Sequence, residues 1–339
     1  MEKKGKKVFV AMSGGVDSSV AAFLLREQGY EVVGAHMTCW EGCDSNEDRR
    51  DAMRVAGKLG IPFHVLDFKK DYKEKVFNYM VREYGAGRTP NPDVMCNSEI
   101  KFGIFLERAR EMGADYIATG HYVRKVGENL SEAKDKNKDQ SYFLWRLNSE
   151  QISHSLFPIG ESLKSEVRDI AKNAGLITAD KKDSQGLCFV GKVDFQEFMR
   201  ELLPKKEGDI INSSGRVLGK HDGAYFFTPG QRHGIKLGGF KEPLYVAETD
   251  SISNTVTVAQ GVGEEILYRS EIYISESNLS TELPEKIFAR IRYRQPLQIC
   301  RIENSLVIFE TPQKGVAPGQ SAVFYSEEGR MLGGGIIER

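Results

Sequence analysis

The chain has 339 residues, 40% of them hydrophobic, and 47 Lys and Arg against 48 Asp and Glu give a formal net charge of −1. That length exceeds one typical domain, so two or three are expected. The balanced charge argues against a wholly basic nucleic-acid-binding module, although a net value hides local patches, and no apolar run approaches the length of a membrane span. The basic start, Met1-Glu2-Lys3-Lys4-Gly5-Lys6-Lys7, feeds a strand rather than a signal-peptide core, so a cytoplasmic protein with no membrane partner is expected.

In chain order, Val8-Phe9-Val10-Ala11-Met12 reads as a strand and residues 20–25 as a helix, closed by Gly29. Between them stands Ser13-Gly14-Gly15-Val16-Asp17-Ser18-Ser19. Two glycines at a strand-to-helix turn let backbone amides approach an anion, and the helix start adds its positive dipole end. Ser13, Ser18 and Ser19 add hydroxyl donors. The plain alternative is an ordinary turn with a capping serine. The turn is not a Walker loop, because G-x-x-x-x-G-K-[ST] is absent. It resembles the PP-loop of the ATP pyrophosphatase family, which implies cleavage of ATP between its α and β phosphates.

Strand and helix signals then alternate. Residues 31–37 and 63–66 read as strands, and 48–59, 71–84 and 98–112 as helices, with a further strand at 116–119. Such alternation implies an α/β parallel sheet with helices on both faces and ligands beyond the strands' carboxyl ends. Residues 13–19, the stretch after Met37, and Thr119-Gly120-His121 fall at such ends. Residues 129–140 read as a charged, exposed loop, and 163–174 and 194–203 as helices. After Pro204 the texture becomes β-rich. Gly215-Arg216-Val217-Leu218-Gly219-Lys220 mimics a phosphate loop but reads as a hairpin turn. Arg290, Arg292 and Arg294 alternate and would share one face of a strand; a solvated face is the plain alternative.

Five cysteines, Cys39, Cys43, Cys96, Cys188 and Cys300, are an odd and scattered set, so no disulfide framework is expected. No C-x-x-C occurs, and Cys39 and Cys43 lack a second ligand pair, so no metal site is assigned. Arg88-Thr89-Pro90-Asn91-Pro92-Asp93-Val94-Met95-Cys96-Asn97 reads as a stiffened loop. Asn97 or Ser98 would cap the next helix and place Cys96 at or just before its N-terminus, where a thiolate is stabilised. Asp93 is placed to orient a substrate or carry a proton. A buried inert cysteine is the alternative. Asp183-Ser184-Gln185-Gly186-Leu187-Cys188-Phe189 suggests a loop presenting Cys188. Together the two thiols suit sulfur carriage as a persulfide and its resolution by exchange.

S-G-G-V-D-S-S, N-P-D-V-M-C-N-S-E-I-K-F, A-T-G-H-Y, K-D-Q-S-Y-F-L, D-S-Q-G-L-C-F, T-P-G-Q-R-H-G and A-P-G-Q follow one another along essentially the whole chain. In this order they resemble the bacterial tRNA-specific 2-thiouridylase (MnmA) family. The resemblance implies a PP-loop catalytic ATP-binding domain at 1–203, a small β-rich central domain at 204–266, and a C-terminal tRNA-binding β-barrel at 267–339. It implies ATP with Mg2+, tRNA and a persulfide-donor protein as ligands and partners. The reaction implied is adenylation of the C2 oxygen of the wobble uridine, then sulfur transfer, with the base unstacked into the pocket.

By the same resemblance, Cys96 is the nucleophile and Cys188 carries the persulfide, with a transient Cys96–Cys188 disulfide and Asp93 beside them. ATP contacts fall on Ala11, Met12, Ser13, Gly14, Gly15, Val16, Asp17, Ser18, Met37 and Gly120. Target-base contacts fall on Asn91, Pro92 and Asp93, and tRNA contacts on His121, Lys138, Asp139, Gln140, Arg292, Tyr293 and Gln320. Cys39 and Cys43 receive no role, and Cys300 reads as core. Whether Cys96 attacks the persulfide or the activated base stays open at this level. Some related thiolases hold an iron–sulfur cluster, but only two cysteines stand in motif positions here. Two rival readings remain: a PP-loop ligase acting on a small carboxylate or amide, and an ATP-binding regulatory module. Neither needs paired cysteines.

Overall fold

The computed structural model describes residues 5–40, 45–182 and 195–338; Cys43 and Cys188 lie outside them. The chain divides into two compact units. One comprises Met1–Phe77, Pro92–Lys192 and Glu328–Met331, the other Asn78–Asn91, Val193–Glu327 and Leu332–Arg339.

The first unit is built on a five-stranded sheet. Its strands lie in the order Phe63–Asp67, Glu31–Thr38, Lys7–Ala11, Tyr116–Ala118 and Ser155–Leu156, and all pairings are parallel. Parallel neighbours require crossovers, which here include the helices Val16–Glu27 and Ser45–Leu59. Val8, Val10, Val20, Ala21 and Leu25 from the first strand–helix pair meet Ala52, Val55, Val167 and Ala171 in one core. Small residues on the first helix let it lie close to the sheet, and burying this apolar surface provides the main favourable term. The helix Val16–Glu27 ends before Gly29, as expected.

Several expectations need correction. The loop expected at 129–140 begins as a strand, Asn129–Glu132, paired with Val123–Val126. Leu130, Ser131, Glu132 and Asp139 are buried; the charged composition hid an apolar Leu130 and a carboxylate that turns inward. The helix expected at 98–112 starts six residues earlier. Pro92–Met95 is α-helical, Cys96–Ile104 is π-helical and Phe105–Glu111 is α-helical. Pro92 opens the first turn, where its missing N–H costs nothing and its fixed φ suits the helix. The helix expected at 71–84 is likewise composite: Lys69–Tyr72 and Asn78–Gly85 are α-helical and Lys73–Phe77 π-helical.

The second unit is β-rich. A four-stranded sheet runs in the order Leu244–Asp250, Thr255–Gln260, Gly208–Asn212 and Val217–His221. Gly208–Asn212 and Val217–His221 pair antiparallel, so the mimic at 215–220 belongs to a hairpin, but only Gly215 and Arg216 lie in the connection and residues 217–220 are in its second strand. A closed six-stranded barrel follows, with neighbours Tyr268–Leu279, Leu306–Lys314, Gln298–Glu303, Ile287–Arg290, Ser321–Tyr325 and Met331–Ile337. Ile274, Ala289, Val307, Phe309 and Phe324 fill it together with Cys300. Burial pushes the Cys300 thiol up to about 12, as suits a core cysteine. The expected arginine strand is not formed: the strand Ile287–Arg290 ends at Arg290, and Arg294 sits in the left-handed region at φ 65°. Among the described residues, no helix is long and apolar enough to cross a membrane.

Candidate active site

At the end of the first strand the backbone of Met12 is fully engaged. Its N–H donates to the Ala35 carbonyl at 2.7 Å, and its carbonyl accepts from His36 Nδ1 at 2.9 Å. Burial holds the His36 imidazole below its ordinary value, so it is neutral near pH 7. The chain then turns on its own hydroxyls. Ser18 Oγ accepts the Ser13 N–H at 3.2 Å and donates to the Gly15 carbonyl at 3.3 Å. Ser19 Oγ donates to the same carbonyl at 2.7 Å.

Two glycines fix the geometry. Gly14 has φ +78°, and a Cβ there would stand 2.2 Å from the Asp48 carbonyl oxygen. At Gly120, after the strand Tyr116–Ala118, a Cβ would stand 2.6 Å from the Ser18 nitrogen. The turn is thus pressed from both sides by backbone. Its helix begins at Val16, and the first N–H groups of a helix have no partner within it. A turn of this geometry at the carboxyl end of the sheet can take an anion. The expected residues Ser13, Gly14, Gly15, Asp17, Ser18 and Gly120 meet here. Met12, Val16 and Met37 turn their side chains into the core.

Asp17 is bracketed by residues that the sequence did not single out. Lys164 Nζ lies 2.7 and 2.9 Å from its two oxygens, and the Tyr122 hydroxyl donates to Oδ1 at 2.9 Å. The signal available was weak: a lysine at a helix start and a tyrosine beside His121.

Cys96 is fully buried. It lies one turn inside its helix, so its expected place at or before the N-terminus is corrected. Asn97 and Ser98 are not caps: Asn97 Nδ2 donates to the Phe143 carbonyl at 3.2 Å and Ser98 Oγ to the Met95 carbonyl at 3.3 Å. Asp93, half-buried in the first turn, precedes Cys96 by three positions and so shares its helix face. Cys188 and its motif lie outside the described residues.

The segment after Gly120 is occupied within the fold. His121 is buried, with Nδ1 2.7 Å from Thr119 Oγ1. Burial, and then the Lys101 charge, hold it well below its ordinary value. Asp139 accepts from the Ala133 N–H at 2.9 Å and the Ser141 hydroxyl at 2.9 Å. Gln140 Oε1 accepts the Tyr122 N–H at 3.0 Å. Lys138 is half-buried on the same turn.

Within the second unit, Arg292 is exposed but its guanidinium donates to the carbonyls of Lys314, at 2.6 Å, and Gly315. Tyr293 is half-buried, with the Arg294 guanidinium 5.1 Å from its ring centre. Gln320 Nε2 donates to the Thr89 and Pro90 carbonyls at 3.1 and 3.3 Å. The Thr89 N–H donates to the Pro318 carbonyl at 2.7 Å. Gln320 therefore grips the loop that leads into Asn91.

Three family models match consecutive parts of the chain: the tRNA methyl transferase HUP domain at residues 6–192, the tRNA methyl transferase PRC-barrel domain at 196–260, and the aminomethyltransferase beta-barrel domain at 269–337. The chain is 45% identical over 394 residues to the tRNA-specific 2-thiouridylase MnmA of Christiangramia forsetii, covering 98% of this chain and 100% of that one. It is 48% identical over 351 residues to tRNA-specific 2-thiouridylase MnmA 2 of Geobacillus kaustophilus, covering 98% and 94%. It is 47% identical over 356 residues to tRNA-specific 2-thiouridylase MnmA of Legionella pneumophila, covering 98% of each.

Proposed function

The chain belongs to the tRNA-specific 2-thiouridylase family, and from that premise we propose how its residues carry out the reaction. The enzyme is a tRNA-uridine 2-sulfurtransferase. Likeness to relatives over 98% of the chain is the observation that carries this reading.

We infer that the nucleotide is ATP, held at residues 11–18 with Met37 and Gly120. The cradle between Asp48 and Gly120 supports a polyphosphate there, because backbone N–H groups and a helix dipole meet charge without rearranging. Mg2+ would accompany ATP on its phosphate oxygens.

The C2 oxygen of the wobble uridine is a poor leaving group. Its attack on the α phosphorus forms an O–P bond and expels pyrophosphate. The oxygen can then leave as AMP. We propose that Cys188, loaded by a donor protein, brings the sulfur as a persulfide. The terminal sulfur bonds to C2 as AMP departs, and the Cys96 thiolate attacks the Cys188 sulfur. That step releases 2-thiouridine and leaves a Cys96–Cys188 disulfide, which a dithiol reductant reopens. Asp93, on the helix face of Cys96, would manage the proton, with Asn91 and Pro92 against the base. Lys138, Arg292 and Tyr293 are proposed contacts to tRNA. His121, Asp139, Gln140 and Gln320 hold the local chain in place, and this support is the part we assign them in tRNA binding. The site of action is the cytoplasm, where tRNA and ATP are available, and the working division is 1–203, 204–266 and 267–339.

The test is thiolation of tRNA with ATP and a persulfide donor, following pyrophosphate and the modified nucleoside by mass. Cys188→Ser should adenylate but not load sulfur; Cys96→Ser should load Cys188 and stall. Thiolation by Cys188→Ser with the protein donor would overturn this division of labour.

A further inference from the structure

Two short stretches of the second unit repeat one pattern. Thr228-Pro229-Gly230-Gln231 and Ala317-Pro318-Gly319-Gln320 each place proline and glycine at the centre of a four-residue turn. In each, the last N–H donates to the first carbonyl: Gln231 to Thr228 at 2.9 Å, and Gln320 to Ala317 at 3.1 Å. Gly230 and Gly319 stand at φ +87° and +92°, the left-handed region that the third residue of a type II turn requires. The first turn lies between Val217–His221 and Leu244–Asp250 of the four-stranded sheet, the second between Leu306–Lys314 and Ser321–Tyr325 of the barrel.

Both turns meet at Thr89, which belongs to the same unit. Thr228 Oγ1 lies 3.2 Å from Thr89 Oγ1. The Pro318 carbonyl accepts the Thr89 N–H at 2.7 Å. Gln320 Nε2 has two hydrogens to give, and it donates to the Thr89 and Pro90 carbonyls at 3.1 and 3.3 Å. A Cβ on Gly319 would stand 3.0 Å from the backbone of Thr89, so the turn and the loop are in close contact. The N–H, the carbonyl and the hydroxyl of Thr89 are all engaged by one turn or the other. Arg88 is fixed as well, between Glu83 at 2.9 Å and Glu338 at 3.0 Å.

The segment held in this way cannot hold itself. Thr89 and Asn91 both precede proline, which pushes their backbone to extended conformations, and Pro90 and Pro92 have no N–H to donate. Such a chain closes no hydrogen-bonded turn of its own, so its course is set from outside. We propose that Thr89 is a positioning residue for the target uridine: the two Pro-Gly turns hold it so that Asn91, two positions on, meets the base at a set place. The proposal rests on the reading of Asn91, Pro92 and Asp93 as base contacts. It gives both β-rich parts of the chain a role in the reaction besides binding tRNA.

The experiment uses the full chain with ATP, a persulfide donor and saturating tRNA, and a second tRNA carrying 5-fluorouridine at the target position for ¹⁹F NMR of the complex. Gly319→Ala pushes a methyl group against the Thr89 backbone. It should lower kcat for thiolation about 10²-fold, the cost of a small misplacement at the reacting centre. The Kd for tRNA should stay within about twofold, and the ¹⁹F resonance of the complex should leave its wild-type position. Thr89→Val removes only the hydroxyl and should lower kcat about fivefold, the equivalent of one ordinary hydrogen bond; Thr89→Ser should restore it. If Gly319→Ala does not fold, the Thr89→Val and Thr89→Ser pair decides. A folded Gly319→Ala or Thr89→Val enzyme with wild-type kcat would overturn the proposal, and a lower Tm beside that kcat would assign the turns to stability alone. Asn91→Ala with the wild-type ¹⁹F resonance would instead overturn the reading of residues 91–93 as base contacts.

Discussion

The turn at residues 13–19 and the turn at 291–295 both follow strands and both carry polar side chains, but they are held in opposite ways. In the first, backbone presses on backbone: the Asp48 carbonyl lies behind Gly14 and the Ser18 nitrogen behind Gly120. Hydroxyls close the turn internally, and the first amides of the helix have no acceptor within the helix itself. In the second, side chains do the holding. Gln295 accepts the Ile291 N–H at 2.9 Å and donates to Gln313 at 2.8 Å, while Arg292 is bonded to two carbonyls. A turn fixed by glycine and backbone keeps its donors for a ligand. A turn fixed by its own long side chains must share them between fold and ligand.

The largest effect that separates these cases is expected at Gly14. Gly14→Ala forces a Cβ into the Asp48 carbonyl and into a positive φ, so the cradle must open. TRNA-dependent pyrophosphate release should fall about 100-fold or more, and near-normal release would mean that the cradle is not the phosphate site. Next comes Arg292→Ala. It should weaken tRNA binding and flatten the slope of log affinity against log salt by about one, if the guanidinium meets a phosphate as well as its two carbonyls. A lower Tm with an unchanged slope would assign Arg292 wholly to the turn.

A smaller effect concerns pH. The His121 folded-state value lies well below the ordinary one, so below about pH 6.5 the unfolded chain takes up a proton that the folded chain refuses. Stability present above that pH is then lost as pH falls, by up to about 1.4 kcal/mol per pH unit until the folded value is reached. His36 acts in the same direction. His121→Gln should reduce the fall in Tm between pH 7.5 and 5.5; an unaltered fall would place the titration elsewhere. The smallest effect is Gln320→Ala, which removes two hydrogen bonds to the Thr89 and Pro90 carbonyls. A loss of about 1 kcal/mol in unfolding free energy is expected, and no loss in a denaturant titration would mean that water replaces the amide.

The contrast also explains what was legible in the sequence. Residues 13–19 could be read because glycines and serines encode backbone geometry locally, and the alternating strand and helix signals placed them at a sheet end. Cys96 was misplaced because two prolines looked like loop stiffeners, whereas Pro92 opens the helix. Residues 129–140 looked exposed because a buried carboxylate such as Asp139 betrays itself only through partners, Ala133 and Ser141, that tertiary structure supplies. Lys164 stands 147 positions from Asp17, so no local pattern joins them. The arginines at 290–294 kept a strand-like spacing while the backbone turned away after Arg290.

The central claim is that the uridine oxygen leaves as part of AMP. It is tested by thiolating tRNA that carries ¹⁸O at C2 of the target uridine and weighing the products. The account predicts one ¹⁸O in the AMP phosphate for each 2-thiouridine formed, with none in pyrophosphate. Unlabelled AMP, with ¹⁸O in water or orthophosphate, would contradict it.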